Sequence, residues 1–253
     1  MIVKNPHIQI PRSLLEQFSH GTDEGKKVYV LKLHDKRISE EKIKKLGIGD
    51  KGYYPPELEE HFSKIETIFG DVRKEIDRFG KKKSNSITIT GKLRQTIFSF
   101  MDNMYERGDY FVTQYNAMSK VSKFIGALDK TEFITLRKEM GATRFFSDYL
   151  RNTYDCNVVQ NRTIRGFVIP RNCFYIYKQF FLMPISPRTA ILLMPIDEMS
   201  NYLFDDKLSY GFIDDPLGIL YLNKHALFSE IELNNDFVAA EKQEDLIDLI
   251  NFI

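Results

Sequence analysis

Apolar residues recur at intervals of three and four along the first half of the chain. The clearest run is Leu58, Phe62, Ile65, Phe69, Val72, Ile76 and Phe79. That spacing keeps one face of a helix apolar over roughly six turns. Glu57, Glu59 and Glu60 crowd its start, where the helix dipole favours negative charge, and Gly80 ends it. After the loop "KKKSNS", Thr90 serves as N-cap of a second stripe: Leu93, Ile97, Phe100, Met104, Phe111, Met118 and Ile125. Two such stripes joined by a short connection predict an antiparallel helical pair. "TEFITLRKEMGATRFFSDYLRN" predicts a third helix, with Phe133, Leu136, Met140, Phe145 and Leu150 facing inward.

The second stripe is broken twice, at Arg107 and Gln114, where its rhythm requires apolar residues. An arginine on an apolar face costs stability unless it is paired. Two readings stay open. The helix breaks at Gly108 and Arg107 reaches solvent or the carbonyls of a helix end, or Arg107 faces an interior cleft and binds a carboxylate or phosphate.

From Cys156 the period changes. "CNVVQN", "RGFVIP", "CFYIYKQFFLMPI" and "TAILLMPI" are β-branched and aromatic runs bounded by Pro, Asn and Gly, as strands are. Pro184 and Pro187 make "PISPR" a turn or an edge feature. "GILYLN" reads as a further strand or the lead-in to a helix. "NKHALFSEIELNNDFVAAEK", with Leu227, Ile231 and Leu233, and then "EDLIDLINFI" read as helices. The order predicts an α+β fold in one domain over 1–253. Its parts are a helix-rich portion to about 153, a small, mainly antiparallel sheet over about 156–222, and closing helices from about 224.

Near the N-terminus, "RISEEKIKKL" reads as a short helix: Ser39 as N-cap, Glu40 and Glu41 in the first turn, Lys44 and Lys45 in the last. This decides the meaning of "GIGDKG" at 47–52, which fits the letter of G-x-G-x-x-G. A dinucleotide site needs a strand before its glycines and a helix after them. Here a helix precedes and "YYPPEL" follows, so Gly47 is a C-cap and the motif is a turn.

Composition narrows the class. The chain is 43% hydrophobic and 28% charged with a net charge of +1, so no global field draws it to nucleic acid or an acidic membrane. Cys156 and Cys173 are too few for a disulfide framework. "MIVKNPHIQIPRSLLEQF" has no apolar signal core, and no run is long enough to span a membrane. These features predict a cytoplasmic protein with no membrane partner. The five histidines, at 7, 20, 34, 61 and 225, lack zinc-site spacing. Asp205, Asp206, Asp214 and Asp215 read as solvated loop residues before metal ligands. No cofactor is predicted. The sequence carries no nucleophile-elbow or P-loop motif.

Four segments carry a family resemblance. "HIQIPRSLLEQF" places His7, Pro11, Leu14 or Leu15, and Phe18 in an "H-x-x-P-x-x-x-L-x-x-F" pattern, with one extra residue before the proline. "YYPPELEEHFSKIE" is a tyrosine-rich helix entry ending at Glu66. Phe100 is followed seven residues on by Arg107. "QNRTIRGFVIPRNCFYIYKQFFLMPISP" contains Asn161, Thr163, Phe167, Asn172, Pro184, Ser186 and Pro187. Together these segments resemble an uncharacterised, mainly prokaryotic family, domain of unknown function 4238. Its "F-I-T-S-D-N-P" segment differs here: Pro170 and Arg171 replace the Ser-Asp pair, and Cys173 replaces the closing proline. "IELNNDF" is similar to the family's C-terminal asparagine helix at Asn234 or Asn235.

The resemblance supplies candidate residues but no activity. His7, Glu66 and Arg107 are the candidate catalytic set, and Asn161, Thr163, Asn172 and Gln114 the candidate binding set. A histidine as acid–base and an arginine on phosphate suit a nuclease-like phosphodiester hydrolase, as in a defence or toxin-like effector acting on nucleic acid or nucleotide. The alternative is a non-catalytic protein-binding or sensor module whose polar residues form a buried structural network. It would act through a partner protein or a homodimer.

Overall fold

The structure, a computed structural model, describes residues 10–22, 25–46, 56–80, 86–88, 91–107, 153–177, 180–195, 207–227 and 236–253. Its helices are α1 (Arg12–Leu15), α2 (Pro56–Gly80), α3 (Gly91–Arg107), α4 (Pro216–His225) and α5 (Glu244–Ile250). Its strands are β1 (Lys27–Lys32), β2 (Arg37–Lys42), β3 (Ser86–Thr88), β4 (Tyr154–Asn161), β5 (Ile169–Pro170), β6 (Tyr175–Tyr177), β7 (Phe180–Ser186), β8 (Thr189–Pro195), β9 (Lys207–Ile213) and β10 (Phe237–Ala240). The α+β class is as the sequence predicts, but the strands form two sheets. One has the order β2-β1-β10-β5 and the other β3-β9-β4-β8-β7-β6. All neighbours run antiparallel except β4 and β9.

The period-2 alternation of the strands explains why the larger sheet is covered on both faces. Phe181, Met183 and Ile185 of β7 join Val158 of β4 and Ile191 and Leu193 of β8 in a core with Phe69, Val72, Ile76, Ile97, Phe100 and Met104 of α2 and α3. The intervening Leu182, Ala190, Val159 and Tyr175 enter a second core with α4, α5 and the smaller sheet. The stripes of α2 and α3 meet at Phe69 and Phe100, stacked 3.8 Å apart. Arg94 ties α3 to the start of β4, donating to the Tyr154 carbonyl at 3.0 Å and pairing with Asp155.

Several expectations change where long-range pairing overrides local signals. Residues 37–42 form β2, not a helix, because β1 offers a full antiparallel ladder from Lys27↔Lys42 to Lys32↔Arg37. The glutamates expected at a helix start bridge strands: Glu40 accepts from His20 and Lys27, and Glu41 pairs with Lys32 at 3.5 Å. "FVAA" is likewise β10, buried throughout, where its backbone completes ladders to β1 and β5. A helix there would leave those ladder groups unpaired. "GILYLN" belongs to helix α4, β9 adds a strand within the expected strand-rich portion, and β1 and β3 arise where no strand was expected. The helix-rich N-terminal portion therefore contributes three strands, and the C-terminal portion one.

Pro184 lies within β7, opposite Ala190. It is tolerated because the β6 ladder stops at Leu182 and a bulge follows before Ser186. The turn itself is Pro187–Arg188. "GIGDKG" and the expected third helix lie outside the described residues.

Candidate functional site

Two of the candidate binding residues meet in one buried junction at the end of β4. The Asn161 side-chain amide donates to the carbonyls of Arg165 and, at 3.1 Å, Pro187. Its carbonyl oxygen accepts from the Thr163 N–H at 2.9 Å and the Thr163 hydroxyl at 2.8 Å. An asparagine that mimics a backbone turn in this way fixes the chain direction after a strand. The hydroxyl of Thr163 in turn accepts the Arg165 N–H at 3.2 Å. Arg188, from the β7–β8 turn, donates to the Thr163 and Arg165 carbonyls.

The next residue, Gly166, is held from the other side. Its N–H donates to Asp245 of α5 at 2.9 Å, and its carbonyl accepts from Asn223 of α4 at 2.8 Å. Asn223 also accepts the Val168 N–H at 3.1 Å. Arg165 pairs with Asp248 of α5. A single loop, 162–168, thus ties β4, the β7–β8 turn, α4 and α5 together. Asn223 and Asp245 were not among the sequence candidates. Asn223 closes the apolar run "GILYLN", and Asp245 lies in the first turn of α5.

Burial raises the pKa of Asp245, outweighing the Gly166 hydrogen bond and the nearby Lys242, Arg165 and Arg188. Its second carboxylate oxygen has no hydrogen-bond partner among the described residues. With the folded pKa above the unfolded one, the folded state holds the proton over a wider pH range. Stability therefore falls as pH rises from the ordinary carboxylate range through the raised value. Asp245→Asn keeps an acceptor for Gly166 without the charge. Its denaturation midpoint is expected to be flatter across that window, and an unchanged pH profile would contradict the assignment.

Of the candidate catalytic residues, Glu66 and Arg107 belong to other elements, α2 and α3. Glu66 is half-buried on α2 between Phe62 and Phe69, and Arg107 is the last described residue of α3. One turn before Arg107, on the same helical face, is the buried Asn103, whose amide has no hydrogen-bond partner among the described residues. Asp102 beside it is also buried. His7, Gln114, Asn234, Asn235 and the Arg107 side chain lie outside the described residues. Asn172 is buried in the turn between β5 and β6. In that turn the Cys173 N–H donates to the Pro170 carbonyl at 2.9 Å, and Cys173 has φ +67°. Proline cannot adopt that angle, so the turn is built differently from one that closes on proline. Both cysteines are buried, and burial pushes the Cys156 thiol up to about 12, so it is not a thiolate nucleophile at neutral pH.

Asp215, one of the acidic loop residues, caps α4 by accepting the Leu217 N–H at 2.9 Å.

On the α4 face of the larger sheet is a cavity of about 270 Å³. It is lined by Tyr175, Phe180, Leu182, Leu192 and Met194 from β6, β7 and β8, and by Tyr221, Leu222 and His225 from α4. Tyr221 and His225 meet edge to face at 4.8 Å. Tyr175 is 1% exposed, and its hydroxyl has no hydrogen-bond partner among the described residues. Burial drives its pKa well above the usual phenol value, so it remains an O–H donor.

The fold and these sites define an α+β protein with a polar junction at one end of its larger sheet and an apolar cavity on one face. The family model described as "Protein of unknown function (DUF4238)" matches residues 7–163, more than half the chain, and the chain belongs to this family. The match takes in Glu66, Arg107, Asn161 and Thr163 and ends at Thr163, before Asn172 and the β7–β8 turn. No curated protein and no solved structure matches the chain. Among the described residues no helix is long and apolar enough to cross a membrane.

Proposed function

We propose that the protein is a non-catalytic sensor or binding module that works in the cytoplasm and signals through a partner protein. The observation that carries this reading is the use made of Asn161 and Thr163. Both the NH2 and the carbonyl oxygen of the Asn161 side-chain amide, with the Thr163 hydroxyl, are committed to holding the 161–166 backbone and the β7–β8 turn. Groups engaged in this way hold structure and have no capacity left to bind a phosphate. The apolar cavity supports the same reading, since ligand sites are concave, mostly apolar, and carry few polar groups.

The rival reading is a phosphodiester-cleaving effector using His7, Glu66 and Arg107. The discriminating experiment incubates the purified protein with RNA, single- and double-stranded DNA and nucleoside triphosphates, each with Mg²⁺ or Mn²⁺. Growth and total-RNA integrity are followed in parallel after induced expression in a bacterial host. No cleavage and no growth defect are expected. Cleavage by the wild type that disappears in a folded Arg107→Ala variant would replace the sensor reading with the effector one.

A further inference from the structure

We propose that the outer edge of β2 docks an extended, acidic segment of a partner protein, which joins the four-stranded sheet as a further strand. The inference rests on the sensor reading in one respect: it gives the chemistry of the partner which that reading requires.

Two independent observations meet on this strand. The first is an open ladder. β2 stands at the end of the order β2-β1-β10-β5, so only one of its sides has a neighbour. The Ile43 N–H donates to the Lys26 carbonyl at 3.2 Å, which sets the alternation along the antiparallel pair. Arg37, Ser39 and Glu41 turn their backbone groups toward β1, and Ile38, Glu40 and Lys42 turn theirs outward. The Lys42 carbonyl is taken by the Lys45 N–H at 2.8 Å, while the other outward groups are unpaired among the described residues. Such a row of donors and acceptors is a template for another strand.

The second observation is charge. Residues 25–46 carry eight Lys and Arg against three acidic residues, although the whole chain has a net charge of only +1. The acids are already engaged: Glu40 by His20 and Lys27, Glu41 by Lys32, and Asp35 by His34 and the Arg37 N–H. Lys36, Arg37, Lys42, Lys44 and Lys45 are exposed and have no carboxylate partner among the described residues. Two of these cations stand at the hairpin end of β2 and three at the other. An acidic strand therefore meets positive charge at both of its ends, whichever way it runs.

The same charges decide the occupant. A second copy pairing through β2 about a two-fold axis would set Lys36 and Arg37 against Lys42, Lys44 and Lys45, and like charges so opposed are unfavourable. A nucleic acid would answer the cations but leave the ladder groups unpaired. A polypeptide with Asp or Glu at its ends answers both. The middle of the edge, Ile38 to Glu40, holds no unpaired cation that would bar a strand, since Glu40 is already neutralised.

The test measures binding of a fluorescent peptide, acetyl-Glu-Asp-Thr-Val-Thr-Val-Asp-Glu-amide, to the full chain by anisotropy, with amide hydrogen exchange followed by NMR. The comparators are the same peptide with its central amides N-methylated, a counterpart with Lys at each acidic position, and a single-stranded RNA of similar length. The acidic peptide is expected to bind, to weaken as salt is raised, and to slow exchange at the Ile38, Glu40 and Lys42 amides. N-methylation should weaken it by roughly tenfold or more, as loss of two or three ladder bonds requires. The double variant Lys44→Glu, Lys45→Glu changes only exposed side chains and should melt as the wild type does. It should weaken the acidic peptide by roughly tenfold and strengthen the basic one. The proposal is overturned if the acidic peptide does not bind, if N-methylation leaves its affinity unchanged, or if exchange at those three amides is not slowed. Tighter binding of the RNA than of the peptide overturns it in favour of a nucleic-acid surface. Failure of the peptide to bind would leave the sensor reading standing on the absence of cleavage, whereas nucleic-acid cleavage would sink that reading without altering the peptide result.

Discussion

Asn161→Ala is expected to lower stability by roughly 2–4 kcal/mol, read as a reduced denaturant midpoint at unchanged slope. The asparagine is 4% exposed, and its amide joins four backbone or hydroxyl groups from Thr163, Arg165 and Pro187. Truncation leaves the buried Thr163 N–H without its acceptor, and this unmade bond is the larger part of the cost. The Pro187 carbonyl keeps its Phe167 N–H at 3.0 Å, and the Arg165 carbonyl keeps Arg188, which moderates the loss. Asn161→Asp should be at least as damaging although it is nearly isosteric. It preserves the acceptor for Thr163 but turns a carboxylate oxygen toward two carbonyls and buries a charge. An alanine variant with the wild-type midpoint would show that the junction does not support the fold, and the structural reading of Asn161 would fall.

Gly166→Ala is the second large effect, about 2–3 kcal/mol from overpacking. A Cβ at this position would lie 2.7 Å from the Asp245 carboxylate and 3.3 Å from the Pro187 side chain. The carboxylate cannot swing away freely, because its other oxygen is held by the Gly166 N–H at 2.9 Å. Asp245→Ala alone should cost about 1–3 kcal/mol by stranding that N–H. In the double variant the carboxylate clash is gone and only the milder Pro187 contact remains, so the two losses should fall short of additivity by roughly 1 kcal/mol or more. Strict additivity in a double-mutant cycle would mean that Asp245 is not what confines Gly166.

The elements that local sequence determines are those whose signal repeats within a few residues. The i, i+3, i+4 spacing from Phe62 to Ile76 specified α2 and its buried face, and the continuous apolar runs in "FFLMPIS" and "TAILLMP" marked β7 and β8. The acidic start and apolar spacing of "EDLIDLI" specified α5. Asn161 and Thr163 were legible as unusual residues through the family pattern, though not their role. What sequence spacing could not decide was pairing partners. "RISEEK" has helix-forming residues and a reasonable cap, yet β1 recruits it as a strand because a ladder of backbone bonds outweighs a few tenths of a kcal/mol per residue in helix propensity. "FVAA" becomes a strand for the same reason, between two segments remote in sequence. The junction and the cavity are further cases of this kind. Gly166 meets Asn223 and Asp245 across 57 and 79 residues, and the cavity exists only because α4 lies over β6, β7 and β8. Periodicity reports which face of an element is buried, and tertiary structure decides against what, since the energy of a buried contact depends on both partners while the sequence signal carries only one.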